Sequence, residues 1–248
     1  MLRWYRAARF SGRALEWRMC ADYTPSRKEL IVQRFKANGL DFDYPREAFP
    51  GYMAPILRAR HDAPGEVEAA PAMFGMVPHW ADLKLARQTY NARTETVASK
   101  PSFRNAWKRR QFCLIPAENI FEPSYETCKP VRWRIEDVDG GPLCVAGIWE
   151  SRADPREGGG MLLSYSMLTI AAADHPVMRR FHQPGDENKR MVVMLRPEQF
   201  APWLQAELDD PTEFFQQYPA DRLVAQADPI VRAPRSPKGP TAQADLLA

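Results

Sequence analysis

Val131-Arg-Trp-Arg-Ile-Glu-Asp-Val-Asp-Gly-Gly-Pro-Leu-Cys-Val-Ala-Gly-Ile-Trp149 carries the pattern that recurs through most of the chain. Two short runs rich in branched and aromatic residues, Val131–Ile135 and Leu143–Trp149, flank the turn signal Asp139-Gly140-Gly141. That pattern reads as strand, turn, strand. Met73–Val77, Phe112–Ile115, Tyr165–Ala171 and Met191–Leu195 are further strand-like runs, and Gly158-Gly159-Gly160 is a further turn. Helical signals are fewer. Ser26-Arg-Lys-Glu29 has the form of a capping box with Leu30, Ile31 and Phe35 behind it, which predicts a helix over 27–36. Helical spacing recurs at Phe103, Ala106 and Trp107 and over Pro197–Leu208. Residues 41–68 are rich in proline and glycine and read as extended chain and turns. Many short strands with few helices predict one α+β domain, with a curved, barrel-like, mostly antiparallel β core and peripheral helices.

At 248 residues with 45% hydrophobic content, the chain can bury a substantial core. No run approaches the roughly 18 consecutive apolar residues of a membrane span, so no membrane partner is expected, and a cysteine usage without structural disulfides suits a reducing cytoplasm. The net charge of +3 is misleading as a guide to partners. Residues 1–19 hold five arginines against one glutamate, which leaves the remainder near −1. An arginine-rich, acid-poor start can be a transit peptide, but a start codon placed upstream of Met19 is the favoured reading. The expected organisation is therefore an extension over 1–19, absent or cleaved in the working protein. A domain over 20–232 and a proline-rich, disordered tail over 233–248 follow.

Four cysteines, Cys20, Cys113, Cys128 and Cys144, show neither C-x-x-C pairing nor metal-like spacing with the four histidines. No metal and no cofactor are expected. Cys113 and Cys144 lie in apolar runs and read as inert core residues, and Cys128 sits in a polar, turn-like stretch. Residues 87–110 carry Arg87, Arg93, Lys100, Arg104, Lys108, Arg109 and Arg110 against Glu95, with Tyr90, Phe103 and Trp107 interleaved. Cations for phosphates beside rings for bases suit single-stranded nucleic acid. A solvated basic helix with Phe103 and Trp107 turned into the core is the alternative, and spacing alone favours it. Glu122, between Ile-Phe and Pro123, lies at a strand end where burial can raise a carboxyl pKa towards general-acid use, although a lone glutamate is more often a surface residue. His182, before Gln-Pro-Gly, can shuttle protons or cap a helix end.

Taken in order, Met19-Cys20, Phe74-Gly-Met-Val-Pro-His-Trp80-Ala, Asn91-Ala-Arg-Thr-Glu-Thr-Val97, Lys100-Pro-Ser-Phe-Arg104, Cys113-Leu-Ile-Pro-Ala117, Phe121-Glu122, Ala146-Gly-Ile-Trp149, Leu168-Thr-Ile170 and Arg190-Met-Val-Val193 form a specific series. The chain, from Met19 to about Leu204, closely resembles the SOS response-associated peptidase (SRAP) family, which crosslinks to abasic sites in DNA. The resemblance implies that Cys20 is the reactive residue and must be N-terminal. An N-terminal cysteine offers an α-amine and a thiol, of ordinary pKa about 7.7–8.0 and about 8.5. The amine condenses with the aldehyde of the opened sugar, and the thiol closes on that imine to a thiazolidine. An internal cysteine has only an amide nitrogen and cannot do this.

The resemblance further implies catalytic roles for Asn91, which orients amine and sugar, for Glu122, which transfers protons beside the cysteine, and for His182, an acid–base on the opened sugar. Arg93, Arg104, Lys100, Phe74 and Trp80 are the implied DNA contacts. The implied partner is single-stranded DNA containing abasic sites, met by a monomer with a possible place at replication forks and, in a bacterium, at the nucleoid. Lyase and autopeptidase chemistry accompany this reading. A thiol autopeptidase and a non-covalent single-stranded DNA binder are the alternatives. Three departures stand out. Ala21-Asp22 follows Cys20 where the family often reads Gly-Arg. Phe74 replaces a tryptophan and keeps a ring for base stacking or core packing, and Pro123-Ser124-Tyr125 replaces an aromatic pair after Glu122.

Overall fold

The turns marked by Asp139-Gly140-Gly141 and Gly158–Gly160 do separate long strands, with Gly140 at φ 69 where a side chain would be strained. In this computed structural model the described residues are 21–230 apart from 61, 128, 157, 187 and 206–209. The expected extension over 1–19, Cys20, Cys128 and the tail beyond 232 lie outside them.

Among the described residues there are ten strands: β1 (Asp22–Pro25), β2 (Met53–Ala59), β3 (Val67–Phe74), β4 (Asn91–Arg93), β5 (Phe112–Ser124), β6 (Val131–Asp137), β7 (Leu143–Ala153), β8 (Met161–Ala171), β9 (Arg190–Val192) and β10 (Leu223–Ala227). β5 pairs with β2 and β7, β2 with β3, β3 with β8, and β8 with β7. That circuit closes a five-stranded barrel, antiparallel except where β3 meets β8. The fold is thus α+β, as its sequence predicts. β1 and β6 extend the sheet along the second half of β5, β10 lies outside β6, and β4 and β9 flank β8.

The 13-residue β5 is far longer than its Phe112–Ile115 signal because Pro116, Glu118, Asn119 and Pro123 interrupt the apolar run. Neighbours on several sides bury nearly every position of it, and such strands lose the alternation that marks a half-exposed one. β2 and the start of β3 fall where turns are predicted. Pro55 and Pro71 stand directly opposite one another, so both missing N–H donors fall at one step of the ladder.

Three short helices, α1 (Lys28–Phe35), α2 (Arg104–Lys108) and α3 (Phe200–Gln205), lie outside the barrel. The capping box expected for α1 does not form. Ser26 is buried and its N–H bonds the Pro116 carbonyl, while the Glu118 carboxylate takes the Arg27 N–H and Nε at 3.1 and 2.8 Å. A 3-10 turn, Pro197–Gln199, leads into α3. Trp203 stacks on Phe112 at 4.3 Å and donates its indole N–H to the Cys113 carbonyl, docking α3 on the barrel. Phe103 is buried and Trp107 packs against Phe112 and Phe215, so the basic segment turns its rings inward and its cations outward. Cys113 and Cys144 are buried, and burial pushes both thiols up, away from thiolate chemistry.

Gly75 shows how tightly the segment after β3 is fitted. Its φ is 102, its N–H bonds the Tyr165 carbonyl at 2.9 Å, and a Cβ would meet the Ala86 carbonyl oxygen at 2.1 Å. Gly75→Ala is expected to lower stability by about 2 kcal/mol or more, read as a fall in the urea midpoint at unchanged m-value.

Candidate functional site

Glu122 lies near the C-terminal end of β5 and is 2% exposed. Antiparallel pairing sets Asp22, the first residue of β1, opposite Phe121, so the chain enters the sheet beside Glu122. On the other flank Trp133 of β6 stands opposite Glu122. The next residue, Pro123, accepts the His182 backbone N–H at 3.0 Å, and Phe181 bridges to Ser124. Glu122 on β5 and the turn that carries His182, 60 positions apart, are thereby brought to neighbouring segments.

His182 is buried and takes φ 72, a left-handed conformation uncommon for a residue with a side chain. Its Nε2 lies 2.9 Å from the Arg190 carbonyl. A carbonyl can only accept, so Nε2 carries the hydrogen and Nδ1 keeps the lone pair. Burial draws the imidazole pKa below its ordinary 6.5, which favours the neutral ring.

Asn91 opens β4, which runs parallel to β8 with Asn91 opposite Met167. Phe74 joins this part to β1. Its ring stacks on Tyr165 at 5.2 Å and meets Tyr23 and Tyr90 edge-on at 5.4 and 5.8 Å, next to Asp22 and Asn91 in sequence. Phe74 is 0% exposed, which selects core packing over base stacking and corrects its implied place among the DNA contacts. With no open face for a base, it packs beneath the strands that carry the site. Trp80, by contrast, is 55% exposed, and Arg93, Lys100 and Arg104 are exposed too.

Three further residues escape a reading of the sequence. Arg152 donates to the carbonyls of Pro78 and Ala81 at 2.8 and 2.6 Å, closing the turn that presents Trp80. Trp133 is half-buried, with the Arg180 guanidinium 5.0 Å from its ring. Arg132, beside Pro123 in register, donates to Asp22 at 2.9 Å and lies over the Phe121 ring. Nothing in the run Val131–Ile135 signals these contacts, because they depend on the register of β6 against β5.

The Asp22–Arg132 pair occupies the position where the sequence departs from Cys-Gly-Arg. Burial raises the Asp22 carboxyl from 3.8 to about 7, more than Arg132 lowers it. A carboxyl whose folded pKa is raised adds stability below its ordinary pKa and loses it as pH rises through the folded value. Unfolding free energy is therefore expected to fall between about pH 4 and 7, by at most about 4 kcal/mol from this group. Asp22→Asn is expected to flatten that slope in urea titrations across the range.

Among the described residues no cluster of three or more His, Cys, Asp and Glu side chains could hold a metal ion, and no helix is long and apolar enough to cross a membrane. A buried carboxyl group on β5 and a buried imidazole bonded to the adjacent residue thus stand near the entry of β1.

The chain matches the family described as SOS response associated peptidase (SRAP) over residues 19–230, and it belongs to that family. It is 30% identical over 169 residues to the Bacillus subtilis protein named abasic site processing protein YoqW, covering 66% of this chain and 70% of that one. It is 30% identical to the B. subtilis abasic site processing protein YobE over 168 residues, covering 65% and 71%. Among solved structures, a Bordetella bronchiseptica protein 38% identical superposes with a TM-score of 0.77 over 85% of this chain and all of that one. A Bacteroides thetaiotaomicron protein shares the fold at 19% identity, with a TM-score of 0.68 over 84% and 91%.

Proposed function

We propose that this protein processes abasic sites by capturing them covalently in single-stranded DNA, through a thiazolidine formed by Cys20 as the N-terminal residue. The observation that carries this reading is the entry of β1 beside Glu122, with His182 bonded to the adjacent Pro123. Cys20 precedes Asp22 by two peptide units, a Cα-to-Cα reach of about 8 Å at most.

The steps balance as one condensation and one addition. The α-amine attacks the aldehyde carbon of the opened sugar, and the carbinolamine loses water to give an imine. The thiol then adds across the C=N bond, sulfur to carbon and proton to nitrogen, and closes the five-membered ring. Glu122 supplies the proton that departs with the water. Neutral His182 accepts and returns the hydroxyl proton as the sugar ring opens, and Asn91 orients the amine and sugar by hydrogen bonds. Arg93, Lys100 and Arg104 engage phosphates, and Trp80 offers an open ring to a base. Strand cleavage through the imine (lyase activity) is a side branch of the same chemistry, whereas removal of the residues before Cys20 is a peptide-bond hydrolysis that must come first, to free the α-amine.

The protein beginning at Met19, with its methionine removed, is expected to form a heat-stable adduct with an abasic oligonucleotide, one water lighter than the sum by intact mass. The full 248-residue chain is expected to form it only after loss of residues 1–19. A non-covalent binder would shift the oligonucleotide on a native gel yet leave no adduct, even with borohydride, and that result would overturn the proposal.

A further inference from the structure

The turn that carries His182 is held from behind by two consecutive residues, Lys189 and Arg190. Lys189 Nζ donates to the carbonyls of Phe181, His182 and Gln183 at 2.8, 3.1 and 3.0 Å. An ammonium group has three protons, and here three carbonyls converge to receive them. Such a cap stabilises a backbone turned to the φ of 72 that His182 adopts. Arg190 is 6% exposed, and its side chain makes four hydrogen bonds to two residues. Its Nη1 and Nη2 donate to the two Glu95 carboxylate oxygens at 3.1 and 2.8 Å. Its Nε reaches Thr169 Oγ1 at 3.1 Å and its Nη2 the Thr169 carbonyl at 2.5 Å. Register with Ala171 fixes its backbone at the start of β9. The carbonyl so immobilised is the one facing His182 Nε2 at 2.9 Å.

A histidine tautomer is set by the partner of the nitrogen that does not react. A carbonyl held rigidly at Nε2 admits only the form with hydrogen there, and leaves Nδ1 as the proton acceptor. We propose that Lys189 and Arg190 are positioning residues that lock His182 in the Nε2–H tautomer with its Nδ1 lone pair presented to the substrate. Glu95 is the outer anchor of this lock. It lies between Arg93 and Lys100 in sequence, so the arrangement also neutralises an acidic residue amid the candidate phosphate-binding cations. The role rests on the proposed use of His182 as an acid–base, but the tautomer is a property of the DNA-free protein.

Imidazole nitrogen-15 spectra of the DNA-free protein beginning at Met19 test the tautomer directly, and are expected to show His182 as a single Nε2–H species. Lys189→Met is expected to mix the tautomers and slow crosslinking at least about tenfold. Its affinity for a single strand carrying a non-reactive tetrahydrofuran abasic analogue should stay within about twofold of wild type. Glu95→Gln keeps an acceptor for the Arg190 fork and is expected to retain the wild-type spectrum, whereas Glu95→Leu loses it. An Nδ1–H species in the wild type overturns the proposal. So does a folded Lys189→Met protein with an unchanged spectrum. A slower Lys189→Met protein whose tautomer is unchanged assigns the residue a purely structural role, which also overturns it. If Lys189→Met fails to fold, the wild-type and Glu95→Leu spectra decide. Absence of any adduct with wild-type protein would instead sink the proposed function, while the spectra would still report on the lock.

Discussion

Cys20→Ala protein beginning at Met19 is expected to form no heat-stable adduct with abasic single-stranded DNA in the absence of a reductant, a loss of about a thousandfold or more. The substitution removes the sulfur but leaves a free α-amine on the new N-terminal residue once the methionine is removed. Imine formation therefore survives and ring closure does not. Borohydride should still trap a covalent species with the variant. The two readouts separate the roles of the two nucleophiles. Wild type gives an adduct with or without reductant, the variant only with it, and neither difference depends on DNA affinity. A heat-stable adduct from Cys20→Ala without reductant would eliminate the thiazolidine. Loss of the borohydride-trapped species in the variant would show that imine formation itself needs the sulfur, and would overturn the order in which the amine acts first.

Glu122→Gln is expected to slow single-turnover crosslinking by about a hundredfold to ten-thousandfold, the range for removal of a positioned acid–base group. Glutamine matches glutamate in size, and the residue is 2% exposed between Trp133 on one strand and the entry of β1 on another. Packing is thus preserved while the transferable proton is lost. Because condensation is thermodynamically favourable without the group, the final adduct yield should recover on long incubation. Binding to the tetrahydrofuran analogue should change little, since the lost interaction is one made in the transition state. A rate within about threefold of wild type would remove Glu122 from the proton-transfer role.

The motifs behind these expectations are legible for a physical reason: each is a short run. Asn91-Ala-Arg-Thr-Glu-Thr-Val97 and Lys100-Pro-Ser-Phe-Arg104 specify backbone turns and side chains within a few residues of one another. The strand runs around Asp139-Gly140-Gly141 are equally readable, since turn glycines and branched residues act locally. β2 and β10 are not, because prolines mask the one and polar residues such as Gln226 dilute the other until a partner strand is present.

By itself, then, the sequence determined the fold class, the family, and a set of candidate residues whose chemistry suits an aldehyde and a polyanion. Tertiary structure alone decided how those residues are surrounded. It placed Phe74 in the core rather than on an exposed face, and set Trp133 opposite Glu122. It paired Asp22 with Arg132 across 110 positions, and put Lys189 and Arg190 behind His182. All of these follow from strand register and from contacts between distant segments. A one-residue slip in register would send each side chain to the opposite face, and no local pattern encodes that choice.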